Sequence, residues 1–429
     1  MFKNKIFRNA SWLIGCKIAQ SVFNLIITML TARFLGPSNY GLISYAASIV
    51  AFVVPIMQLG LNNILVMEVV NAPEKEGLTM GSAITMSFFS ALLSICGVVA
   101  FASIANPGET ETVIVCALYS LMLISQALEM IQYWFQAKYL SKFTALTTLA
   151  SSLTVSIYKI FLLATAKSIF WFAVSYAIDY FIISVVLIII YKKKGGQPLR
   201  FSFKHCFHLF SRGKYYIVSS LMVTVFAQMG TVILKHMMGD TVTGYYSAAV
   251  TCAGLSAFVF GAIIDSFRPS VFESQSKSSA EFEQRMVDLY SIIIFLSLLQ
   301  NIVISAFAPL VTNILYGSDY APAADALRLL IWYTTFSYIG SVRNIWILAE
   351  GKQKYLWVIN LCGAVANILM NFIFIPKMGI MGAALTALLT QIFTNVVIGF
   401  IIKPIRRNNL LMLRGFNPNN LLALIKKAR

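Results

Sequence analysis

Twelve long apolar segments follow one another along this chain, and they limit its fold more than any other feature. A helix needs about 20 apolar residues to cross the roughly 30 Å hydrocarbon layer of a bilayer. The segments are residues 10–34, 40–62, 81–104, 112–135, 144–165, 168–191, 215–237, 243–266, 287–315, 326–349, 355–376 and 379–402. A transmembrane β-barrel would instead show short segments of alternating hydrophobicity, and a chain that is 59% hydrophobic and 11% charged is too apolar for a soluble domain. The sequence therefore predicts an all-α integral membrane protein with twelve transmembrane helices.

The basic residues that give the chain a formal net charge of +17 are sorted by loop. They cluster before the first segment, between the fourth and fifth, between the sixth and seventh, and after the twelfth. Short loops rich in Lys and Arg stay in the cytoplasm. With an even number of spans, this charge distribution predicts that both termini are cytoplasmic, and it explains the positive charge without nucleic acid as a partner.

A motif with two glycines recurs 203 positions further along the chain. The sequence reads G-P-S-N-Y-G-L-I-S-Y-A from Gly36 and G-D-T-V-T-G-Y-Y-S-A-A from Gly239, with four identical positions. Both copies lie between two apolar segments, which indicates an internal duplication of the kind that builds membrane transporters around a central site. The predicted parts are a six-helix bundle, a basic cytoplasmic linker, a second pseudo-symmetric six-helix bundle and a basic cytoplasmic tail, at residues 1–191, 192–214, 215–402 and 403–429.

The linker has a local pattern of its own. Ser202 suits a helix N-cap, and the following residues predict a short amphipathic helix as far as Arg212. Gly213 is expected to end this helix, and its phenylalanines are expected to lie against lipid.

Polar residues fall on one face of the first span. Ser21, Asn24 and Thr28 follow Lys17 at steps of three or four residues, so all four lie on one side of a helix. The same offset of 203 residues gives a polar stripe in the seventh span, which contains Gln228. Paired stripes predict a water-filled cavity between the bundles, although Ser and Thr also hold helices together inside lipid.

Charged residues lie well inside five of the predicted spans. They are Lys17, Glu129, Lys159, Asp179 and Arg343. Each costs about 2.5 to 3.5 kcal/mol at the bilayer centre on insertion scales, so these groups either pair with one another or line a hydrated pathway. The three cations outnumber the two acids, and this excess suits an anionic substrate group.

Three further positions complete the polar pattern. Asn367 and Asn371 lie one helical turn apart in the eleventh span, and Arg33 lies near the end of the first. Lys235, near the end of the seventh span, is expected to extend towards the lipid headgroups.

No sequence motif indicates catalysis, a metal site or a cofactor. The chain has three histidines and lacks the H-E-x-x-H, P-loop and C-x-x-C patterns. His205 and His208 flank Cys206 in the basic linker, where a solvated loop explains them better than a metal site. The sequence therefore predicts a protein that is not an enzyme and that needs no metal or cofactor.

Several segments resemble the polysaccharide-transporter family, the O-antigen (Wzx-like) flippases. These segments are R-N-A-S-W from Arg8, T-A-R-F-L-G-P-S-N-Y-G from Thr31, L-A-E-G-K-Q-K from Leu348 and I-M-G-A-A from Ile380. The family belongs to the superfamily that also contains the multidrug and toxic-compound extruders (MATE). The resemblance implies two bundles around a central cavity and alternating access. It also implies movement of an undecaprenyl-pyrophosphate-linked oligosaccharide across a bacterial inner membrane, with membrane lipids and other polysaccharide assembly proteins as partners.

The candidate site combines the resemblance with the stripes. The resemblance to the family implies that Lys17 and Arg33 belong to the site, and the other positions are predicted from their spacing and charge. The substrate-binding candidates are Lys17, Ser21, Asn24, Thr28, Arg33, Lys159, Gln228, Arg343, Asn367 and Asn371. Glu129 and Asp179 are the candidates for ion coupling.

Two other functions compete with a flippase. A drug or cation antiporter of the same superfamily would be favoured by an acidic cavity, whereas these spans carry a cationic excess. A membrane glycan polymerase or ligase would be favoured by a large periplasmic loop, and no predicted outer loop exceeds about a dozen residues.

Overall fold

The structure of the protein is a computed structural model. It describes residues 2–420 and 422, and the side chains of these residues except 2–18, 63 and 276. The described part is almost entirely helical and contains no strand. Its α-helices are α1 (Phe2–Met57), α2 (Leu65–Asn71), α3 (Glu76–Ala105), α4 (Thr110–Ser120), α5 (Met122–Glu129), α6 (Gln132–Ala137), α7 (Ser141–Ala164), α8 (Ile169–Lys193), α9 (Phe203–Gly254), α10 (Ala257–Lys277), α11 (Ser279–Ala306), α12 (Ala308–Tyr316), α13 (Ala323–Ala349), α14 (Leu356–Met378), α15 (Ile380–Ile392), α16 (Ile398–Ile401) and α17 (Arg406–Gly415). A π-helical segment, Phe393–Val397, joins α15 to α16.

The two longest helices, α1 and α9, are each interrupted at one glycine of the repeated motif. Gly36 has φ 71° and ψ 172°, and Gly239 has φ 83° and ψ −178°. Glycine adopts a positive φ readily because it has no Cβ. The motif therefore forms the same kind of break twice, and each break divides a long helix into two segments at the predicted span boundaries.

Nine helices of the described residues are long and apolar enough to cross a membrane. Two of them, Ala19–Met57 and Phe203–Gln275, contain the glycine breaks. Helix α13, which covers the predicted span 326–349, is not among the nine. The protein is thus a multi-pass membrane protein, and the count of twelve spans stays a prediction.

The chain divides into two compact units, Met1–Gln228 (unit 1) and Met229–Arg429 (unit 2). In unit 1, α1 packs against α7 and α7 against α8, and a buried aromatic core includes Trp134 and Tyr191. In unit 2, α13 packs against α11 and α15, around a core that includes Tyr290 and Trp346. The division falls after the linker, inside the predicted second bundle, and the predicted domain boundaries remain a prediction.

The linker helix differs from the expectation at Gly213. Helix α9 begins at Phe203 and continues through Gly213 without interruption as far as the break at Gly239. A Cβ on Gly213 would overlap the carbonyl oxygen of Leu59, and a Cβ on Gly60 would overlap that of Gly213. Gly213 therefore permits a close approach between two backbones, which a sequence pattern does not distinguish from helix termination.

We expect Gly213→Ala to lower the stability of unit 1. The added methyl group forces the start of α9 away from Leu59, and overpacking of this kind typically costs about 1–3 kcal/mol. The measurement is the thermal unfolding midpoint of the purified protein in detergent. Gly97→Ala is the matched control, because a Cβ at Gly97 in α3 meets no atom within 4 Å. Equal midpoints for the two variants would contradict the close approach.

Candidate functional site

A polar cavity of about 160 Å³ lies inside unit 1. Helices α1, α7 and α8 form its walls. The lining residues are Asn24, Ile27, Thr28, Ser152, Val155, Ser156, Lys159, Ser175, Tyr176 and Asp179. Four of the predicted residues, Asn24, Thr28, Lys159 and Asp179, are therefore brought together from three helices.

Helical spacing explains how α7 reaches this cavity. Ser152, Val155, Ser156 and Lys159 follow one another at steps of three, one and three residues, which places them on one face of the helix. Ser152 is buried, and its hydroxyl donates a hydrogen bond of 2.7 Å to Oδ1 of Asn24 on α1. Small hydroxyl residues allow close helix packing within a membrane. The stripe on α1 and the face of α7 thus meet through this hydrogen bond.

Lys159 is the cation of the cavity. Its Nζ lies 4.1 Å from the centroid of the Tyr176 ring, within the distance at which a cation is attracted to an aromatic face. Lys159 also interacts electrostatically with Asp179. The side chain is half-buried, so the ammonium group lies at the cavity wall.

Asp179 on α8 is held by a neighbouring hydroxyl. Ser151, which is fully buried, places Oγ 2.5 Å from Oδ1 of Asp179 and 2.9 Å from its main-chain oxygen. Glu129 at the end of α5 interacts electrostatically with Asp179, although it does not belong to the cavity lining. The two predicted acids are therefore close enough to influence each other's charge, and of the two only Asp179 lines the cavity.

Other predicted residues of unit 1 lie outside this cavity lining. Ser21 and Arg33 are exposed on α1, and the side chain of Lys17 lies outside the described residues. Gln228 accepts a hydrogen bond of 3.0 Å from Ser48. Their part in substrate binding stays a prediction.

The predicted residues of unit 2 make hydrogen bonds within that unit. Arg343 is 4% exposed, and its guanidinium donates to the main-chain oxygen of Thr394 at 2.6 Å, in the π-helical segment. Asn371 donates to Asn367 at 2.9 Å, and Asn367 donates to Thr390 at 3.1 Å. These bonds join α13 to the π-helical segment and α14 to α15, and a role of the three residues in substrate binding also stays a prediction.

Sequence reasoning missed the four other lining residues that carry a polar group, Ser152, Ser156, Ser175 and Tyr176. Ser175 and Tyr176 precede Asp179 by four and three residues, and Ser152 and Ser156 precede Lys159 by seven and three. A search for polar and aromatic neighbours one helical turn from each intramembrane charge would have found most of them. Among the described residues, no group of three or more His, Cys, Asp or Glu side chains is arranged to hold a metal ion.

The chain matches a protein family described as "Polysaccharide biosynthesis protein" over residues 6–275. It is 28% identical over 223 residues to an uncharacterized membrane protein of Methanocaldococcus jannaschii, with 49% of this chain and 44% of the relative covered. It is 23% identical over 161 residues to the capsular polysaccharide biosynthesis protein CapF of Staphylococcus aureus, with 37% and 41% covered. The matched segments thus span less than half the length of these curated relatives.

Two solved structures resemble the whole chain. An inward-facing multidrug resistance MATE family transporter has a TM-score of 0.72 at 13% identity, covering 91% of this chain and 95% of the transporter. The lipid II flippase MurJ in an inward closed conformation has a TM-score of 0.71 at 18% identity, covering 96% and 91%. These likenesses confirm the predicted all-α, MATE-like membrane fold.

The family match takes in every residue that lines the cavity, since these residues lie between Asn24 and Asp179. It extends well beyond half of the chain and agrees with the resemblance found in the sequence motifs. The chain therefore belongs to the polysaccharide biosynthesis protein family.

Proposed function

We propose that the protein is a flippase for undecaprenyl-pyrophosphate-linked oligosaccharide, the repeat unit of an O-antigen or a similar surface polysaccharide. It would move this substrate across the bacterial inner membrane by alternating access. The observation that carries the proposal is Lys159, a cation inside a polar cavity of a transporter fold. The family and the structural neighbours are associated with polysaccharide biosynthesis and transport, and they support a transporter in preference to an enzyme.

The cavity suits one charged group better than a whole glycan. Its volume of about 160 Å³ is below the roughly 300–1,000 Å³ of pockets that enclose a drug-sized ligand. Lys159 supplies a positive charge, and Asn24, Thr28 and Ser156 supply polar atoms around it. In the proposed mechanism these groups replace the water around a phosphate, while the lipid tail stays in the bilayer.

The acidic pair gives the transport cycle a means of ion coupling. Asp179 and Glu129 interact electrostatically, and intramembrane carboxylates in transporters commonly carry protons or cations. We propose that occupancy of this pair by a cation alters the charge that Lys159 experiences and so couples an ion gradient to release of the substrate.

A drug or cation antiporter is the second candidate, and the same acidic pair favours it. An antiporter would bind a cationic compound at Asp179 and Glu129, and its loss would sensitise the host to such compounds. A flippase would bind an anion at Lys159, and its loss would leave the drug sensitivity unchanged. A comparison of both phenotypes in one deletion strain separates the two functions.

The decisive experiment follows lipid-linked repeat units in the native host. We expect deletion of the gene to cause these units to accumulate on the cytoplasmic side, and a plasmid copy to reverse the accumulation. Leaflet location is measured by access of a membrane-impermeant glycan-modifying enzyme in oriented vesicles. A normal leaflet distribution would exclude a flippase, whereas accumulation of flipped but unpolymerised units would indicate a polymerase.

A further inference from the structure

The two charged side chains of the cavity, Lys159 and Asp179, each contact a different neighbouring residue. Lys159 and Asp179 interact electrostatically. However, Nζ of Lys159 contacts the face of the Tyr176 ring, and Oδ1 of Asp179 contacts the hydroxyl of Ser151. We propose that Tyr176 and Ser151 are positioning residues that prevent Lys159 and Asp179 from neutralising each other. The inference rests on the proposed function, because an unneutralised ammonium group is what an anionic ligand requires.

Tyr176 is suited to hold the ammonium group because its own ring is fixed. The ring centroid of Tyr119 lies 4.6 Å from that of Tyr176, with 38° between the ring planes. Tyr119 is buried on α4, with 7% of its surface exposed. Packing against a buried ring limits the rotamers of Tyr176. The aromatic face that attracts Lys159 is therefore in place before any ligand arrives.

Ser151 restrains the acid through a hydrogen bond. It belongs to α7, as Lys159 does, but lies two turns earlier and is fully buried. Its hydroxyl is 2.5 Å from Oδ1 of Asp179, and a hydrogen bond to a carboxylate is stronger than one between neutral groups. Turning this oxygen towards Lys159 would break the bond to the carboxylate and leave the hydroxyl only its 2.9 Å contact with the main-chain oxygen of Asp179, which is a weaker, neutral interaction.

The contacts made by Tyr176 and Ser151 determine which interaction an anionic ligand must replace when it binds Lys159. Opposite charges in direct contact attract each other, so a Lys159–Asp179 ion pair would have to open before an anion binds. With Lys159 on an aromatic face, the anion displaces only a weak cation–π contact. Pre-organisation of this kind raises affinity because less free energy is spent on rearrangement.

The test measures binding of farnesyl pyrophosphate to the purified full-length protein in detergent, with farnesol as the uncharged reference. We expect Tyr176→Leu to weaken binding of the pyrophosphate about two- to fivefold, the range that a cation–π contact supports, and to leave farnesol unaffected. Tyr176→Phe keeps an aromatic face and should restore affinity to within about twofold. Tyr158→Leu is the matched control, because Tyr158 neighbours Lys159 in sequence but does not line the cavity.

A second set of variants tests the role of the acid. Ser151→Ala frees Asp179 and should also weaken pyrophosphate binding, and adding Asp179→Asn to either Ser151→Ala or Tyr176→Leu should recover the loss. If Ser151 and Tyr176 are merely structural, Asp179→Asn will raise the affinity of these variants by no more than it raises that of the wild type. The unfolding midpoint of every variant is compared with that of the wild type, so that the binding data refer to folded protein.

The failures of the two proposals have different signatures. If Lys159→Met binds farnesyl pyrophosphate as well as the wild type does, the anionic site itself is wrong and the proposed function loses its support. If Lys159→Met loses binding while Tyr176→Leu and Ser151→Ala retain it, only the positioning role is overturned.

Discussion

Replacement of Lys159 by methionine is expected to reduce surface-polysaccharide output by about 10- to 100-fold at matched protein levels. A hydrogen bond to a charged group is worth about 1.5–3 kcal/mol, and about 1.4 kcal/mol corresponds to a factor of ten. Methionine keeps the unbranched shape of the side chain and removes the charge from the cavity. The measurement is complementation of a deletion strain, with surface glycan quantified and protein amount determined by immunoblot.

Two controls define this result. Lys167→Met makes the same change at an exposed position just after α7, and we expect wild-type output. Lys159→Arg keeps the charge but changes the shape of the donor group, and intermediate output is expected. If the Lys159→Met variant gives wild-type amounts of surface polysaccharide, Lys159 takes no part in the mechanism.

The largest effect on stability is expected at Lys235, which lies just before the break at Gly239. Its side chain is 4% exposed, and Nζ lies 2.8 Å from both carboxylate oxygens of Asp240. The lysine that was expected to extend towards the headgroups is instead buried in an ion pair. Lys235→Met leaves the charge of Asp240 without this partner, and breaking a buried pair costs about 3–5 kcal/mol. We expect a cost at the lower end of this range, because a quarter of the Asp240 side chain is exposed.

The unfolding midpoint in detergent, measured for a small set of variants, tests this expectation. Adding Asp240→Leu to Lys235→Met should recover part of the loss, because apolar residues often replace a buried ion pair without destabilisation. Lys277→Met breaks the pair between Lys277 and Glu273, whose side chains are 56% and 67% exposed, and should leave the unfolding midpoint almost unchanged, because exposed ion pairs contribute little to stability. If Lys235→Met and Lys277→Met lower the unfolding midpoint by similar amounts, burial does not strengthen the pair between Lys235 and Asp240.

Helical spacing was sufficient to find part of the site. Asn24 and Thr28 were predicted from a stripe on one span, Lys159 and Asp179 from their charge, and the structure brings them to one cavity. The agreement has a physical cause, because burying an isolated charge in hydrocarbon is so costly that such residues gather around polar space.

The same pattern also arises without a cavity, which limits what the sequence can reveal. Asn367 and Asn371 lie at helical spacing, yet they are buried and bonded to each other. A polar stripe that faces water and one that ties two helices together have the same period. Gly213 shows a similar ambiguity, because helix ends and close backbone contacts both select glycine. In each case the distinction depends on a neighbouring helix that the local sequence does not identify.

The π-helical segment Phe393–Val397 has a consequence for how relatives of this protein should be aligned. A turn with i→i+5 bonds accommodates one residue more than an α-helical turn, and each added residue rotates the following side chains by about 100°. Main-chain oxygens in this segment accept hydrogen bonds from Arg343 and Asn409. The segment is therefore equivalent to an insertion inside a helix. In relatives that lack these two donors, we expect a single-residue gap here, which would restore an uninterrupted α-helix and turn α16 to present a different face.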